Sequence, residues 1–163
     1  MKKVLIVVGS PHKGETYKAV RLFEQKLKAV GDIAFDYVFL AEAGLEQCKG
    51  CLACISHGEE FCPLGDKQAL KDIYDRMMES DGVIFSTPVY SLHVSALLKL
   101  LLDRLAFIFH RPCCFHKVFM PIVVQGVYGD KNTIKYLESV AKFWGFVVVR
   151  GVGLTTPPGV RLP

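Results

Sequence analysis

Buried-strand runs and helical stripes alternate along this chain almost from end to end, and that alternation limits the fold more than any other feature. Val4 to Val8 is an unbroken run of Val, Leu and Ile, the mark of a strand covered on both faces. Glu15 to Val30 follows with Val20, Phe23, Leu27 and Val30 in a helical stripe, and Gly31 stops it. Ile33 to Leu40 suits a second strand, Lys67 to Glu79 a helix with Leu70, Ile73 and Met77 on one side, and Gly82 to Ser86 a short buried strand. Val94 to Phe109 reads as a helix so rich in Leu that little of it can face water. Val118 to Val124 is a fourth strand, Asn132 to Phe143 a helix and Phe146 to Val149 a fifth strand. Strands joined by helical crossovers imply an α/β fold of three layers: a doubly wound, five-stranded parallel sheet with both faces covered.

One layer is incomplete. Only GVGLTTPPGVRLP follows the fifth strand, and its prolines and glycines cannot make a final helix. Either the chain is truncated there or another subunit covers that face of the sheet. With that face open and a helix as apolar as residues 94–109, a homodimer or higher homo-oligomer is expected. The alternative for that helix is burial within one subunit.

No linker or repeat divides the 163 residues, so a single domain spanning 1–163 is expected, with a cysteine-rich loop at about 45–65. The net charge of +4 is spread along the chain, which argues against a nucleic-acid partner. No stretch reaches the ~18 to 20 continuous apolar residues of a membrane span. The opening apolar run is too short for a signal peptide, and Pro11, His12 and Lys13 follow it closely. A cytoplasmic location without membrane contact is therefore expected, where thiols stay reduced.

Ligands of open α/β sheets bind beyond the carboxyl ends of the strands. Three loops at those ends carry unusual chemistry. In GSPHKGETYK, Gly9 and Gly14 permit tight turns, Ser10 and Thr16 offer hydroxyls, and a new helix presents its N–H groups. The loop lacks both the nucleoside-triphosphate and the dinucleotide glycine patterns, so a single phosphate suits it; a merely capped turn is the plainer alternative. In STPVYSLHVSALLK, Pro88 fixes the chain direction, Tyr90 supplies a flat face, and Thr87 and Ser91 supply hydrogen-bonding groups. That suits a planar heteroaromatic ring, or else a packed turn with Ser91 capping the next helix. In QGVYGDKN, Gly126 and Gly129 bracket Tyr128 and would close over the ring's other side.

The stretch CKGCLACISHGEEFC places Cys48, Cys51, Cys54 and Cys62 at C-x2-C-x2-C-x7-C, with Pro63 next. Three sulfurs at intervals of three, plus a fourth on an arm containing Gly58, match the ligand runs of [4Fe-4S] clusters. A loop of reduced thiols is a second reading, and zinc, held by the four thiolates or by three with His57, a third. Cys113 and Cys114 read as packing residues, since adjacent cysteines have poor disulfide geometry. His110, Arg111 and His116 near them read as surface residues.

The stretches VLIVVGSPHKGETYK, CKGCLACISHGEEFC and DGVIFSTPVYSLHVSALLKLLLDR together resemble the flavodoxin-like NAD(P)H-dependent FMN reductases, in particular the iron–sulfur flavoproteins. The resemblance covers nearly the whole chain and implies strand order 2-1-3-4-5. It also implies that Ser10, Lys13, Gly14, Glu15 and Thr16 surround an FMN phosphate. Pro88, Val89, Tyr90 and Ser91 would line the isoalloxazine, with Gly126, Val127, Tyr128 and Gly129 on the opposite rim. The chain departs from that pattern at His12 and Glu15, where a basic residue and Asn are usual, and at Leu64, Gly65 and Asp66, where two acidic residues usually follow the fourth cysteine. The implied function is an FMN-dependent oxidoreductase, with the flavin carrying the electron chemistry and no catalytic side chain required. With a cluster, the partner would be a ferredoxin-like carrier; without one, NAD(P)H would stack directly on the flavin. A non-catalytic electron carrier or metal-binding protein is the alternative. A receiver domain or a low-molecular-weight phosphatase fits poorly, because the acidic residues and the C-x5-R loop they need are absent.

Overall fold

Side chains alternate between the two faces of a strand, so three central strands sort the chain's apolar residues into two cores. The structure is a computed structural model and describes residues 1–157 and 159. In chain order it runs β1 (Lys2–Val8), α1 (Glu15–Lys28), β2 (Ile33–Phe39), α2 (Ala53–Ser56), α3 (Lys67–Glu79), β3 (Gly82–Pro88), α4 (Ala96–Arg104), β4 (Val118–Gln125), α5 (Asp130–Phe143), β5 (Val147–Val148) and β6 (Val152–Thr155). The sheet is parallel in the order β2-β1-β3-β4-β5, with β6 also pairing to β4. This is a flavodoxin-like α/β fold.

Leu5, Val7, Val83, Phe85, Phe119 and Val123 face one side, where they meet α3, α4 and α5. Ile6, Val8, Ile84, Met120, Ile122 and Val124 face the other, where Ala19 and Val20 of α1 cover them. Among the described residues the first cluster holds twenty-four buried residues and the second eight, so one face is thickly roofed and the other thinly.

The Leu-rich segment is not one helix. Ser95 caps α4, its hydroxyl accepting from Leu98 N at 3.2 Å, and α4 ends at Arg104; a separate 3-10 turn spans Ala106–Phe109. Leu98, Leu101, Leu102, Leu105 and Ile108 are all buried within this chain. The alternative of burial inside one subunit is therefore the one observed, and this helix lends no support to association.

Residues 151–157 hold a strand, β6, where a closing helix was judged impossible; Pro158 and residues 160–163 lie outside the described residues. A proline explains why this edge is broken in two. Pro121 sits in the middle of β4, paired to Phe85, and has no N–H to give a neighbour. Phe119 pairs with Val148 and Ile122 with Val152, so the edge uses four residues where β4 uses three. The extra residue bulges opposite Pro121. Gly151 sits there because a Cβ would lie 2.7 Å from the proline ring.

Candidate flavin site and cysteine arm

The three loops meet because short side chains lash them together. Ser95, buried at the start of α4, donates its hydroxyl to Gly9 O in the first loop, and its own N–H donates to Thr87 Oγ1 at the end of β3, 3.0 Å away. Gly9 must be glycine here: a Cβ would stand 2.9 Å from Leu98 Cβ and 3.1 Å from Ser86 O. Val89 N–H donates to Val124 O at 2.8 Å. Gly129, at φ +115°, lets the third loop press on the second, since a Cβ there would sit 2.8 Å from Val89 Cγ1.

The second loop is a tight hairpin. Tyr90 and His93 exchange backbone hydrogen bonds of 2.9 and 3.0 Å across Ser91 and Leu92, both left-handed at φ 48° and 64°. Two such non-glycine residues in a row are costly and mark a backbone held in place by its surroundings. Ser91 therefore spends its place on the turn; the helix cap falls to Ser95.

Ser10, His12, Glu15, Thr16, Pro88, Val89, Tyr90, Val124, Gln125, Gly126 and Thr156 line one cavity of about 170 Å3 at these strand ends. Seven residues singled out in the sequence are thus brought together: Ser10, Glu15, Thr16, Pro88, Val89, Tyr90 and Gly126. Six are not on its wall. Gly14 backs the His12 ring, leaving no room for a Cβ, which would lie 2.9 Å from His12 Cδ2. Ser91 and Gly129 shape the hairpin and its contact. Val127 and Tyr128 stand out to solvent at 81% and 68% exposure. Lys13 turns away: its ammonium lies 4.4 Å above the Phe39 ring and 3.8 Å from Glu42. His12, Val124, Gln125 and Thr156 were missed. Gln125 stood in the quoted third loop but only its glycines and Tyr128 were singled out, and Thr156 lay in a tail read as irregular.

The first loop suits an anion. Gly14 has no side chain with which to cap α1, in contrast to Ser95 at α4, and Glu15 and Thr16, the first residues of α1, line the cavity wall. The Ser10 hydroxyl is committed to the loop itself, donating to His12 O at 2.8 Å.

The four cysteines line a second, smaller cavity with Arg104 and Phe107. Cys48 and Cys51 are exposed, Cys54 and Cys62 half-buried. Burial pushes the Cys54 thiol up, and the nearby Cys62, Cys48 and Cys51 sulfurs push it further. The donor set suits an iron–sulfur cluster. The enclosed space, about 30 Å3, does not: it has room for about two waters, against the eight atoms of a cubane. Among the described residues no three His, Cys, Asp or Glu side chains are arranged to hold a metal ion.

This cysteine arm is pinned by Arg104, which is 1% exposed. Its guanidinium donates to Asp66 Oδ2 at 2.5 Å, to Glu46 O at 2.9 Å and to Cys62 Sγ at 3.7 Å. Burial pushes the Asp66 carboxyl up, but the Arg104 and Glu46 N–H hydrogen bonds outweigh it and hold the group below the usual carboxylate range. Cys113 and Cys114 are packing residues, Cys113 lying 3.4 Å from Tyr74 Oη. Arg111 is not idle, donating to Cys54 O and to Glu59 on the arm.

Two roomier hollows lie elsewhere. One of about 410 Å3 opens between the arm and α3, at Glu59, Lys67, Lys71 and Tyr74. Another of about 420 Å3 opens at the opposite end of the strands under the thinly roofed face, at Lys2, Phe23, Asp81 and Met120. Neither gathers loops at the carboxyl ends of the strands. No helix among the described residues is long and apolar enough to cross a membrane.

Known proteins share this architecture. The chain is 33% identical over 161 residues to an iron-sulfur flavoprotein of Archaeoglobus fulgidus, covering 96% of this chain and 70% of that protein. It is 29% identical over 152 residues to one of Methanosarcina thermophila, covering 90% and 76%. A third, from Methanocaldococcus jannaschii, is 38% identical over 105 residues, covering 63% of this chain and 51% of its own length. Among solved structures, an NADH:FMN oxidoreductase in its apo form superposes with TM-score 0.70 at 21% identity, over 95% of this chain and 76% of that one. An azoreductase of Bacillus anthracis superposes with TM-score 0.71 at 18% identity, over 96% and 87%. The profile of the NADPH-dependent FMN reductases matches residues 2–158. With its strand order, its lashed loops and this match in agreement, the chain belongs to the NADPH-dependent FMN reductase family of flavin-dependent oxidoreductases.

Proposed function

We propose that residues 1–163 form one domain that binds FMN at the carboxyl ends of β1, β3 and β4 and passes electrons from NAD(P)H to an acceptor. The observation that carries this reading is the single cavity on which three lashed loops converge. The loop from Ser10 to Thr16, with the start of α1, takes the phosphate through backbone N–H groups; Glu15 contributes its backbone and Lys13 stays aside. Pro88, Val89 and Tyr90 flank the ring on one side and Gly126 on the other, while Ser91 and Gly129 hold those walls in place. Val127 and Tyr128 form the outer rim. Bound FMN supplies the hydride and electron chemistry.

At about 170 Å3 the cavity falls below the ~300 Å3 usual for an enclosing ligand site. A ring held there keeps one face open, which suits a nicotinamide donor that has no dinucleotide fingerprint of its own in this chain. It also suits a second copy of the chain closing the site, and we propose a homodimer on that ground. Cys48, Cys51, Cys54 and Cys62 are the residues that would hold an iron–sulfur cluster, served by a ferredoxin-like carrier, if the arm opens to admit one. Relatives named iron-sulfur flavoproteins favour that addition. A cytoplasmic location accords with reduced cysteines.

Titrating the chain into FMN and following flavin fluorescence tests the site: saturable quenching is expected, and none would end the reading. Anaerobic NADPH should then bleach the bound flavin. A bound flavin that stays yellow would point to a non-catalytic carrier instead. Iron and acid-labile sulfide in equal amounts, lost in Cys48→Ser with FMN retained, is the expected mark of a cluster.

A further inference from the structure

We infer that Gln125 is the positioning residue of the flavin site, a single amide that braces two of its walls at once; this rests on the flavin reading above. Gln125 is the last residue of β4 and only 9% exposed. Its Oε1 accepts from Asp130 N at 2.8 Å, at the start of α5. Its Nε2 donates to Thr155 Oγ1 at 3.0 Å, at the end of β6. Because a backbone N–H can only donate, the orientation of the amide is fixed by that first bond. The backbone carbonyl of Gln125 accepts from Thr156 N at 2.8 Å.

Those partners are the ends of the cavity's two least regular walls. Residues 126–129 leave β4 at Gln125 and return to α5 at Asp130, so the Oε1 bond closes the base of that loop. Gly126 and Thr156 both line the cavity beside Gln125 itself. Thr155 does not line it and is exposed, so it acts on the site only through what it holds. The contact between α5 and β6 is close as well: Asp130 packs over Gly153, where a Cβ would collide with the carboxylate. No other side-chain hydrogen bond among the described residues links the base of that loop to Thr155.

Walls braced on the ring side should matter to flavin binding whether or not the ligand carries a phosphate. The test is a comparison of FMN and riboflavin affinities by fluorescence quenching in wild type, Gln125→Met, Thr155→Val and the double variant. Gln125→Met keeps the volume and loses both bonds; Thr155→Val alters one exposed position outside the cavity. We expect Gln125→Met to weaken FMN and riboflavin by the same factor, about tenfold, the scale of one to two hydrogen bonds. Thr155→Val should weaken both by a smaller shared factor, and the double variant should bind no worse than Gln125→Met, because both changes break the same brace. Wild-type affinity in Gln125→Met, additive losses in the double variant, or a loss confined to FMN would each overturn the inference while leaving the flavin site standing. If wild type binds neither flavin, the flavin reading falls and this inference with it.

Discussion

The chain's two chemically loaded regions both hang from strand ends, and they are held in opposite ways. Around the candidate flavin cavity the lashes are neutral: Ser95 to Gly9 and Thr87, Val89 to Val124, Gln125 to Asp130 and Thr155. The cysteine arm from Glu46 to Asp66 has only a four-residue helix and a 3-10 turn of its own, and its buried anchor is an ion pair, Arg104 with Asp66. Neutral hydrogen bonds between groups already fixed by strands and helices demand little desolvation and ignore pH. A buried ion pair is strong only while both partners are charged and present. The flavin loops should therefore be stiff under all mild conditions, and the arm conditionally so.

Breaking the anchor gives the largest effect. Arg104→Met leaves Asp66 buried without its cation and should cost about 3–5 kcal/mol in urea unfolding. Limited proteolysis should cut first between residues 46 and 66, with FMN quenching retained; simultaneous loss of flavin binding would show that the two regions are one unit. The same variant weakens an acid response. In wild type the folded Asp66 pKa lies below its unfolded value, so its contribution is complete above the unfolded pKa and drains as pH falls through the folded one. Without Arg104 the Glu46 N–H still lowers the folded pKa but burial meets less opposition, so Arg104→Met should lose less stability than wild type as pH falls from neutral toward about 4. Parallel acid limbs in the two proteins would remove Asp66 from the account.

Ser95→Ala is the matching break on the flavin side. It deletes a helix cap and the lash to Gly9, for an expected loss of about 1–2 kcal/mol in thermal unfolding, with no change in its pH profile. FMN affinity should drop with it. An intact affinity would mean that Gly9 is held by strand pairing alone.

The same contrast explains what the sequence disclosed. Strand order and helix placement were legible because Val4 to Val8, Val118 to Val124 and the α3 stripe each carry an unambiguous period. The first loop and the Pro88–Tyr90 turn were legible because glycine, proline and hydroxyls restrict what a backbone can do. The Ser91–Leu92 turn was not: left-handed residues that are neither Gly nor Asn leave no local signal and are imposed by the packing around them. The roles of Gln125 and Arg104, both inside quoted stretches, were hidden for a related reason. Their partners lie 5 and 30, and 38 and 58, residues away, and no periodicity encodes a contact made only when loops from distant strands arrive together.

Lys13 gives the smallest expected effect and the sharpest check on reading charge from position alone. A lysine in a phosphate loop invites assignment to the phosphate, and its motif position supports that. Its ammonium is instead taken by the Phe39 ring and Glu42, at the end of β2. Pulling it back would forfeit a cation–π contact worth about 0.5–1 kcal/mol at an exposed site, so the phosphate must offer more than that to recruit it. Glu15 and Thr16 at the start of α1 already line the cavity, where a helix's first backbone N–H groups suit an anion. Lys13→Ala should therefore change FMN affinity by less than about threefold, and the ratio of FMN to riboflavin affinity should stay put. A tenfold fall in that ratio would mean that the lysine swings over when the phosphate arrives, and that the flavin loops, too, depend on a charge.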